Sequence, residues 1–159
     1  MHAISIRQPW AYSIFYFGKD IENRTWACPT WISGSRVLIH ASKTMKRGDW
    51  DAVEDACGVL PPSDLPRGAI VGSVIIEETC DFHGLSLHGI SDRWYRGPLC
   101  WVLKDARPIT EPIPCRGHLQ FFRPLAKDFP VLLDYRRYID LVSRLEGRGG
   151  LRPLTTRGE

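Results

Sequence analysis

Gly18-Lys19-Asp20-Ile21-Glu22-Asn23-Arg24-Thr25-Trp26 holds two basic residues, two carboxylates, an amide and a hydroxyl. Phe15, Tyr16 and Phe17 stand just before it, and Trp26 closes it. Solvated loops are often this charged, but seldom between so many large aromatics. Read as a short strand, Ile21–Thr25 sends alternate side chains to opposite faces. Glu22 and Arg24 then share one face, and Ile21 and Asn23 the other. Lys19, in the turn before, reaches the first face. A Lys, a carboxylate and an Arg crowded on one partly buried face perturb one another's ionisation. Such a group is either a structural ion-pair cluster or the floor of a polar-ligand site.

Upstream, Ala3–Ile6 is short, alternating and β-branched, which predicts a strand. A helix is expected over Gln8–Phe17, with Pro9 in its first turn, where a missing N–H costs nothing, and Gly18 as its stop. Trp10, Ile14 and Phe17 recur at helical spacing and should face the core. Downstream, Arg36–Ala41 is a near-continuous apolar run ending in His40, the mark of a buried central strand. Ser42 and Lys43 follow it, placed to sit over a pocket mouth. Asp49–Cys57 predicts a short helix stopped by Gly58.

Gly68–Cys80 is the longest strand signal, and Gly72 within it predicts a bulge or a close backbone approach. Cys80–Ser91 reads as a polar loop and Leu99–Lys104 as a strand. Arg107–Gly117, with three prolines, reads as a long loop, and Leu119–Arg123 as the last strand. Val131–Glu146 predicts an amphipathic helix whose core stripe is Leu132, Tyr135, Ile139 and Val142. Short strands and Gly/Pro-rich connections suit an α+β fold: a barrel of about five or six mostly antiparallel strands with helices outside. Residues 1–146 are expected to form one domain and 147–159 a mobile Gly/Arg-rich tail whose arginines add non-specific RNA affinity.

The chain has 159 residues, 43% hydrophobic and 25% charged, which suits a globular domain with a real core. A formal net charge of +3 permits nucleic-acid contact without demanding it. No apolar run is long enough to span a membrane. A strand pattern that starts almost at Met1 leaves no signal peptide, so a cytoplasmic location is expected. Five scattered cysteines argue for reduced thiols rather than a disulfide framework. Cys80, His83 and His88 are only a loose cluster lacking a fourth ligand, so neither a metal nor another cofactor is expected.

Around the central stretch, Ser5-Ile6-Arg7-Gln8-Pro9-Trp10-Ala11 lies upstream and Val37-Leu38-Ile39-His40-Ala41-Ser42-Lys43 downstream. This order resembles the ASCH (ASC-1 homology) family, whose core pattern is Gly-x-Lys-x-x-Glu-x-Arg. Lys19, Glu22 and Arg24 fall on its Lys, Glu and Arg; its Gly falls on Phe17, with Gly18 one place late. Gly68-Ala69-Ile70-Val71-Gly72, Gly97 to Leu103 and Ile113-Pro114-Cys115-Arg116-Gly117 extend the resemblance, which covers roughly Ala3 to Arg123. It implies a PUA-like β-barrel and a module that binds RNA or a nucleobase. Some members are enzymes. One branch hydrolyses N4-acetylcytidine, with Thr where this chain has Glu22.

Four segments, Ser5–Trp10, Lys19–Arg24, His40–Lys43 and Cys115–His118, are expected to converge at one barrel mouth. Stacked aromatics beside amides and carboxylates suit a nucleobase, and Arg or Lys suits its phosphates. The expected ligand-binding residues are Gln8, Trp10, Lys19, Glu22, Arg24, Trp26, His40, Ser42, Lys43 and Arg116. Trp94 and Tyr95 are further candidates for stacking. The expected ligand is RNA or a modified nucleoside or nucleotide. The alternatives are a small hydrolase or ribonuclease with Lys19 and Glu22 catalytic, and an interaction domain whose charged cluster is structural.

Overall fold

The structure, a computed structural model, describes residues 1–147. The arginine-rich tail beyond Gly147 lies outside the described residues. The strands are β1 (Ala3–Ile6), β2 (Ile21–Arg24), β3 (Ser35–Ala41), β4 (Ala69–Cys80), β5 (Leu99–Pro114) and β6 (Phe121–Phe122). The helices are α1 (Trp10–Tyr16), α2 (Asp49–Cys57), α3 (Phe82–Leu87) and α4 (Leu132–Leu145). One six-stranded sheet runs in the order β2-β5-β4-β3-β1-β6. All neighbours pair antiparallel except β1 and β3, which are parallel, with Ala3 opposite Leu38 and Ile6 opposite Ala41.

The sheet curls into a half-barrel with four flanking helices. Its two edge strands are joined by side chains. Trp26, two residues beyond β2, packs edge-on against Phe121 of β6 with ring centres 6.1 Å apart. Phe121 also stacks on Trp101 of β5 at 5.3 Å. Together these aromatics close the seam. The fold is the α+β architecture expected.

Both faces of the sheet centre are buried, as the apolar run Val37-Leu38-Ile39 requires. Val37 and Ile39 join Ile4, Ile6 and Ile14 of α1 on one face. Leu38 joins Ala3, Ile70 and α4 on the other. Gly72 behaves as anticipated: the pairing register shifts on both sides of β4 beside it, and the Phe15 ring fills the space of a side chain. A Cβ there would lie 2.4 Å from Phe15 Cζ.

Three expectations need correction. The segment read as a long proline loop is the second half of β5, up to Pro114. Its prolines are tolerated because β2 pairs only with Leu99–Val102. Beyond Leu103, whose N–H still donates to the Asp20 carbonyl at 2.8 Å, the outer side of β5 is an edge, where a missing N–H costs no ladder bond. The polar loop Cys80–Ser91 contains α3, whose N-terminus is capped by the Asp81 carboxylate accepting from Gly84 N–H at 3.0 Å. In α4 the fully buried apolar residues are Tyr138 and Leu141, flanked by Tyr135, Ile139 and Val142, whereas Leu132 in its first turn is 62% exposed. No helix among the described residues is long and apolar enough to cross a membrane.

Candidate functional site

The alternation read in the central stretch is realised in β2. Ile21 is fully buried among core residues, and Asn23 is tied down by donating to the Trp94 carbonyl and accepting from Arg96 N–H, both at 2.8 Å. On the opposite face, Lys19 Nζ donates to Glu22 Oε2 and to the Ile21 carbonyl, each at 2.6 Å. Arg24 Nη2 lies 3.3 Å from the other oxygen of Glu22. The Arg24 guanidinium also lies 5.1 Å from the Trp101 ring centre, a cation–π contact. Lys19 is 2% exposed and Glu22 9%. The cluster holds two cations to one anion. Arg24 Nε is buried with no hydrogen-bond partner among the described residues.

This cluster forms one wall of a cavity of about 460 Å³, facing Trp10 and the loop that follows β3. Lys19 Nζ sits 6.0 Å from the Trp10 ring centre. Opposite, Arg7 Nε donates to Asp49 Oδ2 at 3.0 Å, fixing the start of α2 against the end of β1.

A second cavity, of about 930 Å³, adjoins the first; Ser5, Ser42, Thr44 and Leu119 line both. The four converging segments therefore line two neighbouring cavities rather than a single mouth. His40, Lys43 and Arg116 belong to the larger one. His40 is 2% exposed. Its Nε2 lies 2.9 Å from the Cys115 carbonyl, which only accepts, so Nε2 carries the proton. Nδ1 lies 3.0 Å from the Ser5 hydroxyl oxygen, whose one hydrogen is also within reach of the His118 carbonyl at 3.2 Å. Burial pushes the His40 imidazole below its ordinary value of 6.5; the Cys115 hydrogen bond opposes this, and the nearby His118 and Lys43 add to it. Gly117 makes the close packing possible, since a Cβ there would lie 2.4 Å from His40 Cε1 and 2.8 Å from Ser5 Oγ.

Other expected site residues lie elsewhere. The Gln8 amide is 1% exposed, donating to the Pro66 carbonyl and accepting from Tyr12 N–H at the start of α1, both at 3.0 Å. Trp26 belongs to the aromatic seam, 4.8 Å from Trp101. Trp94 is wholly buried, and the Tyr95 hydroxyl donates to the Pro98 carbonyl at 2.6 Å. Of the four aromatics expected to stack, only Trp10 lines either cavity. Cys80, His83 and His88 do not come together: the Cys80 sulfur lies 3.2 Å from that of Cys100, and His88 meets Glu78 at 3.5 Å.

Two residues of the larger cavity escaped sequence reasoning. His118 Nε2 lies 2.9 Å from Asp128 Oδ1. The sequence hinted at His118 through its place in the Cys115–His118 segment. Asp128 sits ten residues on, in a 3₁₀ turn that no local pattern marks.

No family model and no curated protein matches the chain. Among solved structures it is similar to ZmASCH from Zymomonas mobilis, with 16% identity, 88% of this chain and 94% of that chain covered, and a TM-score of 0.49. Crystal structures of two point variants of that protein match at 16% identity with TM-scores of 0.47 and 0.48, covering 88% of this chain and 94% and 96% of theirs. These structures carry the name of the family that the Lys19–Arg24 motif resembles. At such identity they assign no residue a role.

Proposed function

We propose that the chain is a module that binds RNA or a modified nucleobase, with the base held in the smaller cavity. The observation that carries this reading is the burial of Lys19 and Glu22, with half-buried Arg24 paired to the glutamate, beside Trp10 in a cavity wall. Withdrawing charges from water is expensive, and a fold needing stability alone does as well with apolar residues. A cavity of about 460 Å³ falls within the usual size range of small-molecule sites. The resemblance read from the sequence supports the same ligand class.

Each group has a task in this reading. The carboxylate oxygens of Glu22 have lone pairs left after Lys19 and Arg24 are served, so they accept from an exocyclic amine or a ring N–H. Lys19 has used two of its three donors and keeps one for a carbonyl oxygen. Arg24 Nε, buried without an acceptor, supplies another donor. Trp10 offers a stacking face. Lys19 hydrogen-bonds to a carboxylate and a carbonyl and, among the described residues, to no hydroxyl, which favours binding over hydrolysis. All five cysteines are free thiols, which suits a reducing, cytosolic compartment.

The test is a calorimetric and thermal-shift screen of the full chain against natural and modified nucleosides. At least one nucleoside should bind, and Glu22→Gln should relax the preference among bases. A stable Lys19→Met, Glu22→Gln double variant that binds every nucleoside and RNA as the wild type does leaves the cluster a purely structural role.

A further inference from the structure

The larger cavity has no task in that reading, and its charge is unbalanced. Lys43, Arg116 and Lys127 line it, and none of their side chains makes an ion pair or hydrogen bond with a described residue. Its one carboxylate, Asp128, is withdrawn from the cavity: the side chain is 3% exposed, with Oδ1 on His118 and Oδ2 accepting from Leu125 N–H at 2.9 Å. Burial works against ionising this carboxyl, but those hydrogen bonds and the nearby cations hold it below the usual carboxylate range. A carboxylate only accepts, so His118 Nε2 carries a proton and Nδ1 is left without a partner among the described residues. Asp128 thus orients the imidazole from behind.

Two glycines shape the wall. A Cβ at Gly68 would lie 2.6 Å from Lys43 Cε, so the missing side chain is what lets the Lys43 stem pack across the backbone. The Lys43 stem thus lies along the backbone, and the exposed residue lines the cavity. The N–H of Gly117 makes no hydrogen bond with a described residue. A cleft lined by one sign of charge concentrates counterions of the other, and an Arg fork with an ammonium suits phosphate oxygens.

We propose that the larger cavity binds a phosphate group, the terminal phosphate of a nucleotide or a phosphodiester of an RNA strand. Through the shared lining at Ser5, Ser42 and Thr44, one ligand then places its base in the smaller cavity and its phosphate in the larger. The joint ligand rests on the nucleobase reading; the phosphate site is tested separately.

The full chain is titrated at low salt with inorganic phosphate, a nucleoside, its 5′- and 3′-monophosphates and a short RNA. A phosphate-bearing ligand should bind about tenfold more tightly than its nucleoside. Lys43→Met with Arg116→Met should remove most of that difference while leaving the ligand-free melting temperature in place. A short RNA without a terminal phosphate that loses affinity in the double variant assigns an internal diester; if only the RNA bearing a terminal phosphate does so, the site takes a terminal phosphate. If no nucleoside binds, but inorganic phosphate does and is lost in the double variant, the base reading falls and the phosphate site stands. The proposal is overturned if no phosphate probe binds or if nucleotide and nucleoside bind alike. It is equally overturned if the double variant keeps the difference, or if Arg47→Met with Lys104→Met, away from the cavity, loses as much.

Discussion

Lys19 Nζ lies 2.6 Å from Glu22 Oε2, with the lysine side chain 1% and the glutamate side chain 12% exposed. Removing the ammonium leaves a mostly buried carboxylate held, among the described residues, by Arg24 at 3.3 Å. Stranding one member of a buried pair typically costs several kcal/mol, so Lys19→Met should lower the unfolding free energy by about 3 kcal/mol. Adding Glu22→Gln should recover part of that loss by removing the stranded charge. Urea denaturation of the two variants measures both. A loss under about 0.5 kcal/mol in Lys19→Met would mean that the pair carries no structural weight.

Gly117→Ala tests the packing behind the larger cavity. The new methyl would lie 2.4 Å from His40 Cε1 and 2.7 Å from Nδ1. Either the imidazole or the 115–118 segment must move. A destabilisation of about 2 kcal/mol is expected, as for overpacking in a tight core. Gly89→Ala is a useful contrast: nothing lies within 4 Å of that position, and the strain there comes only from a φ of +64°. Equal effects on the His40 ring resonances from both variants would contradict the assigned contact.

Stability should fall as pH drops below about 6.5. The His40 imidazole is lowered in the fold, so the unfolded chain binds more protons in that window, and stability is present above 6.5 and lost as pH falls. His2, also lowered, by burial, Arg123 and the N-terminus, acts in the same direction. Asp128 adds a second loss below its ordinary value of 3.8. His40→Gln should flatten the upper step more than His2→Gln does. An unfolding free energy indifferent to pH between 7 and 5, measured in urea at each pH, would remove His40 from this role.

Three thiols should resist alkylation at pH 8. Burial raises Cys28 to about 11, and Cys100 and Cys115 to about 12. For Cys100 the Cys80 thiol adds to the rise, and for Cys115 the Asp128 carboxylate does. Thiolate, the reactive form, is therefore scarce at all three. Mass spectrometry after brief iodoacetamide treatment should find these cysteines unmodified in the native protein and modified in urea. Rapid native labelling of Cys100 or Cys115 would contradict their burial.

The pieces legible in the sequence are those that neighbours a few residues apart decide. Alternation put Glu22 and Arg24 on one face and Ile21 on the other, and the ion pair and the buried isoleucine bear this out. Ala3–Ile6 and Asp49–Cys57 were marked by short periodic runs, and the observed bounds coincide with them. Gly58 stops its helix with a φ of +75°, a conformation that only glycine adopts freely.

Tertiary structure alone decided the rest, because it depends on partners far along the chain. Proline reads as loop until β2 is seen to pair only with Leu99–Val102 and leave the later part of β5 an edge. An aromatic carries no mark of which neighbour it will meet: Trp10 lines a cavity, Trp26 closes the seam and Trp94 is core. The His118–Asp128 pair forms where a 3₁₀ turn folds back on the strand end, and His40 meets Ser5 only through the parallel pairing of β1 with β3. Short-range periodicity is written into every segment of a chain, whereas register and long-range contact are settled only when the whole core packs at once.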